Sequence, residues 1–269
     1  MNFTTHRIQY CSQTNSSSQT PQVRFADALV VLREVNLESL EDADTAMCFW
    51  LNVYHTLLVH ATMLFGPPLT RWKLWSELCY DIGGCPFSLL EIEHCVLRAR
   101  LSKPRHQPLA RFFLPKSFAR GSRREEMSRC VPKDARINFV LNSGSVSCLR
   151  AIPVFQESKL DDQLTRASVA FLRKNLVVDI STCMIVLPAI LSWYKNDFAQ
   201  EDENRVTKRD CALYIARLLL RGGGMERVGG VDGESMVKLL KHPAYAHLVK
   251  VSYGHYEWKK CWSFFESED

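Results

Sequence analysis

No apolar run opens the chain, no Cys-x-x-Cys pair occurs in it, and it has neither a glycine-rich phosphate loop nor a Gly-x-Ser-x-Gly elbow. Each absence removes a class: nucleotide, structural-zinc and α/β-hydrolase readings lose their sequence basis. The polar opening, MNFTTHRIQYCSQTNSSSQT, lacks the hydrophobic core of a secretory signal. That predicts a reducing, cytoplasmic setting in which the ten cysteines stay as thiols, most of them buried and inert. Glycine and proline, 12 and 11 in 269 residues, are too few for a collagenous or low-complexity chain. What is present, 46% hydrophobic residues with 10% aromatics, suffices for a folded chain with a proper core.

Charge is nearly balanced, 34 Lys and Arg against 29 Asp and Glu for a net +5, but unevenly spread. Between Arg98 and Lys133 eleven basic residues face only Glu125 and Glu126. Prolines 104, 108 and 115 break regular structure there, so about 99–133 reads as a basic surface excursion suited to an acidic partner, or simply as a solvated loop. No nucleic-acid-binding motif frames it, and nucleic acid is not an expected partner. The opposite extreme is Thr45 to Thr70, which contains no charged side chain. Asn52, Tyr54, His55, Thr56, His60 and Thr62 interrupt its apolar residues, which predicts a buried central helix and no transmembrane segment.

The remaining pattern gives the organisation. Residues 1–22 read as a flexible polar tail, 23–262 as one domain, and 263–269 as a second tail. Helical spacing over Ala28–Val35 precedes the central helix, which Asp44 is expected to cap and Gly66-Pro67-Pro68 to stop. Leu78–Ile82 reads as a strand turning at Gly83-Gly84. Ser88 and Glu91 form a capping-box signature for a helix from about Leu89 to Ala99. Arg136–Leu141 alternates and is predicted as a strand. Asp161 or Asp162 caps a helix reaching Lys174, and Leu176–Ile180 with Cys183–Leu187 forms a hairpin. A short helix after Pro188 carries Trp193 and Tyr194, Thr207–Arg221 and Glu234–Lys241 are helices, and Leu248–Tyr253 is a closing strand. The expected class is α+β, a single domain with a long buried central helix and a small, mainly antiparallel sheet.

Chemistry concentrates in few places. The loop Asn142–Cys148 is built of small residues, Gly144 and Ser147 among them, so backbone amides can converge beside the Cys148 sulfur. Such donors stabilise a thiolate and a developing oxyanion alike. On the helix opened by Ser88, Glu91, His94 and Arg98 are spaced to share one face, where a carboxylate beside an imidazole makes a general base. The same spacing serves a solvated ion network. Glu91-x-x-His94 also has dimetal-helix spacing, with Cys148 as a further conceivable ligand, but the second pair such sites need is missing and no metal or cofactor is expected. Asn52 and His55, one turn apart in the apolar helix, must find partners, either structural ones or an imidazole that Asn52 orients.

Taken in order, Phe49-Trp50-Leu51-Asn52-Val53-Tyr54, Ile82-Gly83-Gly84, Ser88-Leu89-x-x-Ile92-Glu93-His94-x-x-Leu97-Arg98, Arg136-Ile137-x-Phe139-x-Leu141-Asn142-x-Gly144-x-x-Ser147-Cys148, Trp193-Tyr194-x-x-Asp197-Phe198 and Tyr256-x-Trp258 resemble the family called domain of unknown function 547, over about Val23 to Trp262. The resemblance implies a set of polar positions, matched by Asn52, Glu93, His94, Arg98, Asn142 and Cys148, and a distant likeness to papain-like and transglutaminase-like thiol enzymes in permuted chain order. Three positions depart from the family pattern: His55 stands where Asn is usual, Ser143 where Cys is frequent, and Leu149 where Pro usually follows the cysteine.

Two expectations follow. In the first, the chain is a thiol-dependent hydrolase or acyl transferase acting on an amide or ester bond. Cys148 is the nucleophile, His94 the base, Glu91 or Asn52 its orienting partner, and amides of Gly144–Cys148 the oxyanion donors. Asn142, Glu93, Arg98 and His55 support the site. In the second, the chain is a non-catalytic interaction domain whose partner docks on the basic stretch.

Overall fold

The charge-free stretch forms the helix its composition predicts, α1 (Ala43–Phe65), and buries it on nearly every side: Trp50, Leu51, Leu57 and Ala61 have no exposed surface. Its start is set by Asp42, whose carboxylate accepts the Thr45 N–H at 2.8 Å, two residues before the expected Asp44. Among the described residues, no helix is long and apolar enough to cross a membrane. The computed structural model describes residues 6–7, 29–65, 76–104, 114–115, 117–198, 206–222, 227–228, 230–244 and 246–258. These group into two compact units, 1–99 with 114–132 and 100–113 with 133–269. Most of the expected tails, the Gly66-Pro67-Pro68 stop and the centre of the basic excursion lie outside the described residues.

In the first unit, a 3-10 turn at Val31–Glu34 stands within the stretch of early helical spacing, and a second at Leu37–Ser39 follows it. β1 (His6–Arg7) runs parallel to β2 (Leu78–Ile82), which pairs antiparallel with β3 (Cys85–Ser88). The β2–β3 turn needs Gly83: its φ is +58°, and an added Cβ would stand 2.5 Å from Leu37 and 2.8 Å from the Val35 carbonyl. Both halves of the Ser88–Glu91 capping box form and start the short α2 (Leu89–Glu91). The expected α-helix then widens into a π-helix over Ile92–Leu97. α3 (Arg123–Arg129) returns over this turn, with Arg124 between the Phe87 and Phe118 rings and 2.7 Å from Glu91.

In the second unit, α4 (Ile137–Val140) replaces the strand read in Arg136–Leu141. All four residues of this turn are buried, so the alternation that suggested one wet and one dry face has no solvent to alternate against. Side chains hold it. Arg136 reaches Asp134, Asp161 and Thr165, and Asn138 donates to Asp197 at 3.0 Å. α4 packs on α5 (Leu160–Asn175), which carries Asp161 and Asp162 in its first turn with Lys159 at its N-cap. The expected hairpin forms as β4 (Val177–Asp179) and β5 (Met184–Leu187). The closing strand β6 (Lys250–Tyr253) joins β5 in parallel. α6 (Ile190–Trp193), α7 (Lys208–Arg221) and α8 (Gly233–Lys241) complete a core around Phe139, Leu172, Ile185, Leu191, Ile215 and Met236. Helices interspersed with small sheets make the class α+β.

Candidate functional site

The end of α4 delivers the chain into Asn142, which folds the loop on itself. Its side-chain oxygen accepts the Gly144 N–H at 2.7 Å and its amide donates to the Leu149 carbonyl at 2.7 Å. Gly144, at φ +68°, makes the bend that this Asx turn requires. Across the loop, the Cys148 N–H closes on the Ser145 carbonyl at 2.9 Å. α5 supplies the outer clamp. Lys174 Nζ donates to the Val146 carbonyl and, at 2.7 Å, to that of Cys148, while the Asn175 amide takes the Ser147 carbonyl at 3.0 Å. Three successive carbonyls are thus held by the end of α5.

The sulfur sits in a cage of polar groups. The Ser143 N–H donates to Cys148 Sγ at 3.3 Å, and the hydroxyls of Ser143, Ser145 and Tyr256 lie 3.4, 3.3 and 3.3 Å from it. These hydroxyls also touch one another: Ser145 donates to Tyr256 Oη at 2.7 Å, and Ser143 Oγ stands 3.4 Å from both. Cys148 is only 4% exposed. That burial opposes the thiolate, but hydrogen bonds from Ser143, Ser145 and Tyr256 outweigh it and hold the thiol below its ordinary range. The Tyr256 phenol moves the opposite way, pushed up by burial and then by the anionic sulfur beside it. Both directions favour the sulfur over the phenol as the group that gives up its proton first. Cys211, the contrasting thiol, lies in the apolar core and is pushed up to about 11 by burial.

The expected amides are partly committed elsewhere. Gly144 N–H serves Asn142, Cys148 N–H serves Ser145, and the amide aimed at the sulfur is that of Ser143. Ser147 has a different task, its hydroxyl accepting the Glu257 N–H at 2.8 Å. Asn142, Gly144, Ser147 and Cys148 are therefore brought together as one loop.

The other candidates belong to the first unit. Glu91 is spent on structure, its carboxylate bonded to Ser88 N–H at 2.9 Å and paired with Arg124. Glu93 takes the place proposed for it, with Oε1 3.7 Å from His94 Nε2 and Oε2 accepting the Tyr54 hydroxyl at 3.4 Å. The π-helix is the reason: its i to i+5 bonds, such as Arg98 N–H to the Glu93 carbonyl at 2.9 Å, turn each residue through a smaller angle than an α-helix does. A three-residue spacing, such as Glu91 to His94, then no longer defines a face. Arg98 is buried at the end of this turn. In α1, Asn52 Nδ2 lies 3.6 Å from Cys48 Sγ, and His55 is buried with its ring edge-on to Tyr54.

Sequence reasoning passed over Ser143 and Ser145 as cage members, Lys174 and Asn175 as clamps, and Tyr256 as the closing donor. Tyr256 stood in a motif, but nothing local couples it to a sulfur 108 residues away. Among the described residues, no group of three or more His, Cys, Asp or Glu side chains is placed to hold a metal ion. The family model described as "Protein of unknown function, DUF547" matches residues 37–172, about half of the chain. The match spans Asn52, His94 and the Cys148 loop and ends within α5. No curated protein and no solved structure matches.

Proposed function

We propose, for a chain that belongs to the DUF547 family of proteins of unknown function, that Cys148 is the nucleophile of a thiol-dependent hydrolase or acyl transferase acting on an amide or ester bond. The observation that carries this reading is the convergence of one N–H and three hydroxyls on a single sulfur. A structural cysteine has no need of such a shell, because a neutral thiol is a small hydrophobe with weak hydrogen bonding. A thiolate does, and each donor that favours the charged form makes it a larger fraction of the population near neutral pH.

In the reaction, the thiolate attacks the carbonyl carbon, the new C–S bond forms, and the carbonyl oxygen carries the charge. Collapse breaks the C–N or C–O bond, and the leaving group departs with the proton the thiol gave up. Water or a second nucleophile then attacks the thioester and restores the thiolate.

The test is the pH profile of iodoacetamide labelling, read by mass spectrometry on the Cys148 peptide. Its midpoint is expected well below about 8.5, the ordinary thiol value. A midpoint equal to that of the urea-unfolded chain overturns the nucleophile. One observation favours the non-catalytic reading, the near-complete burial of the sulfur. Under that reading Cys148 labels only as the protein unfolds.

A further inference from the structure

A nucleophile 4% exposed must be uncovered before it meets a carbonyl carbon, and the side chain that closes over it comes from the end of the described chain. The β5–β6 ladder ends with Leu187 opposite Tyr253. Beyond it, Gly254–Trp258 belongs to no helix or strand and runs along the Cys148 loop. Gly254 N–H donates to the Leu187 carbonyl at 2.8 Å, Tyr256 Oη rests on the sulfur, and Glu257 N–H donates to Ser147 Oγ. Trp258 lies flat on Trp193, with ring centroids 5.2 Å apart and planes 7° from parallel, and the Tyr256 ring packs 4.5 Å from Trp258 and 4.8 Å from Trp193. The segment is thus fixed deep at Tyr256 and shallow at Trp258, which is 40% exposed.

Resting on the reading of Cys148 as a nucleophile, we infer that Gly254–Trp258 is an autoinhibitory strap: Tyr256 caps the sulfur and the Trp193–Trp258 stack is the latch. Releasing it leaves the β5–β6 pairs through Leu187–Tyr253 intact, because Gly254–Trp258 lies outside the strand. Local opening of such a segment lies at the low end of the stability range, far below global unfolding. The cap has a second effect. Tyr256 hydrogen-bonds the sulfur while covering it, so the contact that favours the thiolate is also the one that withholds it until the strap lifts.

Two measurements on the full chain separate strap from nucleophile: hydrogen exchange of the Glu257 amide, which reports opening regardless of chemistry, and iodoacetamide labelling of Cys148. Trp258→Ala is expected to speed both by about tenfold, the loss of one aromatic contact worth of the order given for such pairs, with labelling of Cys211 unchanged as the sign that the core stays folded. Ser147→Ala, which removes the acceptor of the Glu257 N–H and leaves the stack in place, is expected to move both readouts in the same direction by a smaller factor. Faster amide exchange with Cys148 still unlabelled leaves the strap standing and sinks the nucleophile. Unchanged exchange and labelling in both variants overturns the strap. If Cys211 labelling rises as well, the denaturant dependence decides: an opening rate insensitive to dilute urea supports a local strap, and one that tracks global unfolding overturns it.

Discussion

The Cys148 loop and the His94 turn are both short segments that follow a hydrogen-bonded start, yet they are closed in different ways. The His94 turn is fastened mainly from nearby in sequence: Ser88 and Glu91 cap it three residues apart, and Arg98 N–H closes the π turn on Glu93. The Cys148 loop begins with a local Asx turn but is finished by distant groups, Lys174 and Asn175 from 26 to 28 residues away and Tyr256 from 108. The difference separates a scaffold from a tuned group. Local bonds fix where a backbone goes, and they cost little loop entropy. Of the groups around the sulfur, Ser143 and Ser145 belong to the loop itself and Tyr256 arrives only when the whole unit has folded, so the completed cage is a property of the tertiary structure.

If that contrast is right, the largest effect on the second unit comes from cutting a long-range tie upstream of the loop. Arg136 is buried, 2.6 Å from Asp134 and 2.7 Å from Asp161, and its Nη1 donates to Thr165 at 2.9 Å. Arg136→Ala is expected to cost about 3 kcal/mol, the low end for breaking a buried pair because Asp161 is largely exposed. A urea titration measures it, and Cys148 labelling at pH 6 should fall together with stability. A stable variant with unaltered labelling would break the link between α4 and the loop.

Tyr256→Phe sharpens the comparison at smaller cost. It keeps the ring contacts with Trp193 and Trp258 and removes one donor from the sulfur. The sign follows from linkage. A thiol held below its unfolded value contributes stability that is full above the unfolded pKa and lost as pH falls through the folded one. Removing a donor raises the folded value, so the variant should label about tenfold more slowly than wild type on the acid side, as for a shift of one unit, and equally fast where both are ionised. A parallel displacement at every pH would mean that the hydroxyl acts on access and not on charge.

Legibility in the sequence divides along the same line. The Ser88–Glu91 box and the hairpin at β4–β5 are legible because each signal lies within a few residues of its partner. The α4 turn was misread as a strand, since a six-residue apolar alternation does not tell a half-wet strand from a fully buried helical turn. The π-helix had no sequence mark, and it moved the carboxylate beside His94 from Glu91 to Glu93. Cys148 and its small-residue loop were visible, but the cage was not. Ser143 and Ser145 look like ordinary loop residues until Tyr256 arrives to bridge them.

The smallest expected effect comes from the locally fastened region. Ser88→Ala removes the side-chain oxygen that accepts the Glu91 N–H at 3.2 Å and leaves Glu91 its pairing with Arg124. The loss of one N-cap should lower the stability of the first unit by about 1 kcal/mol, seen as a modest fall in the urea midpoint with an unchanged slope. Hydrogen exchange should localise that loss to α2 and the π turn, because the interactions removed all lie within four residues of Ser88. The Cys148 labelling midpoint should stay where it is, since Ser143, Ser145 and Tyr256 surround that sulfur and none of these contacts involves the cap. A midpoint that climbs in Ser88→Ala as far as it does in Tyr256→Phe would show that the sulfur's charge is set as much by the first unit as by its own cage, and the distinction between local scaffold and long-range tuning would fall.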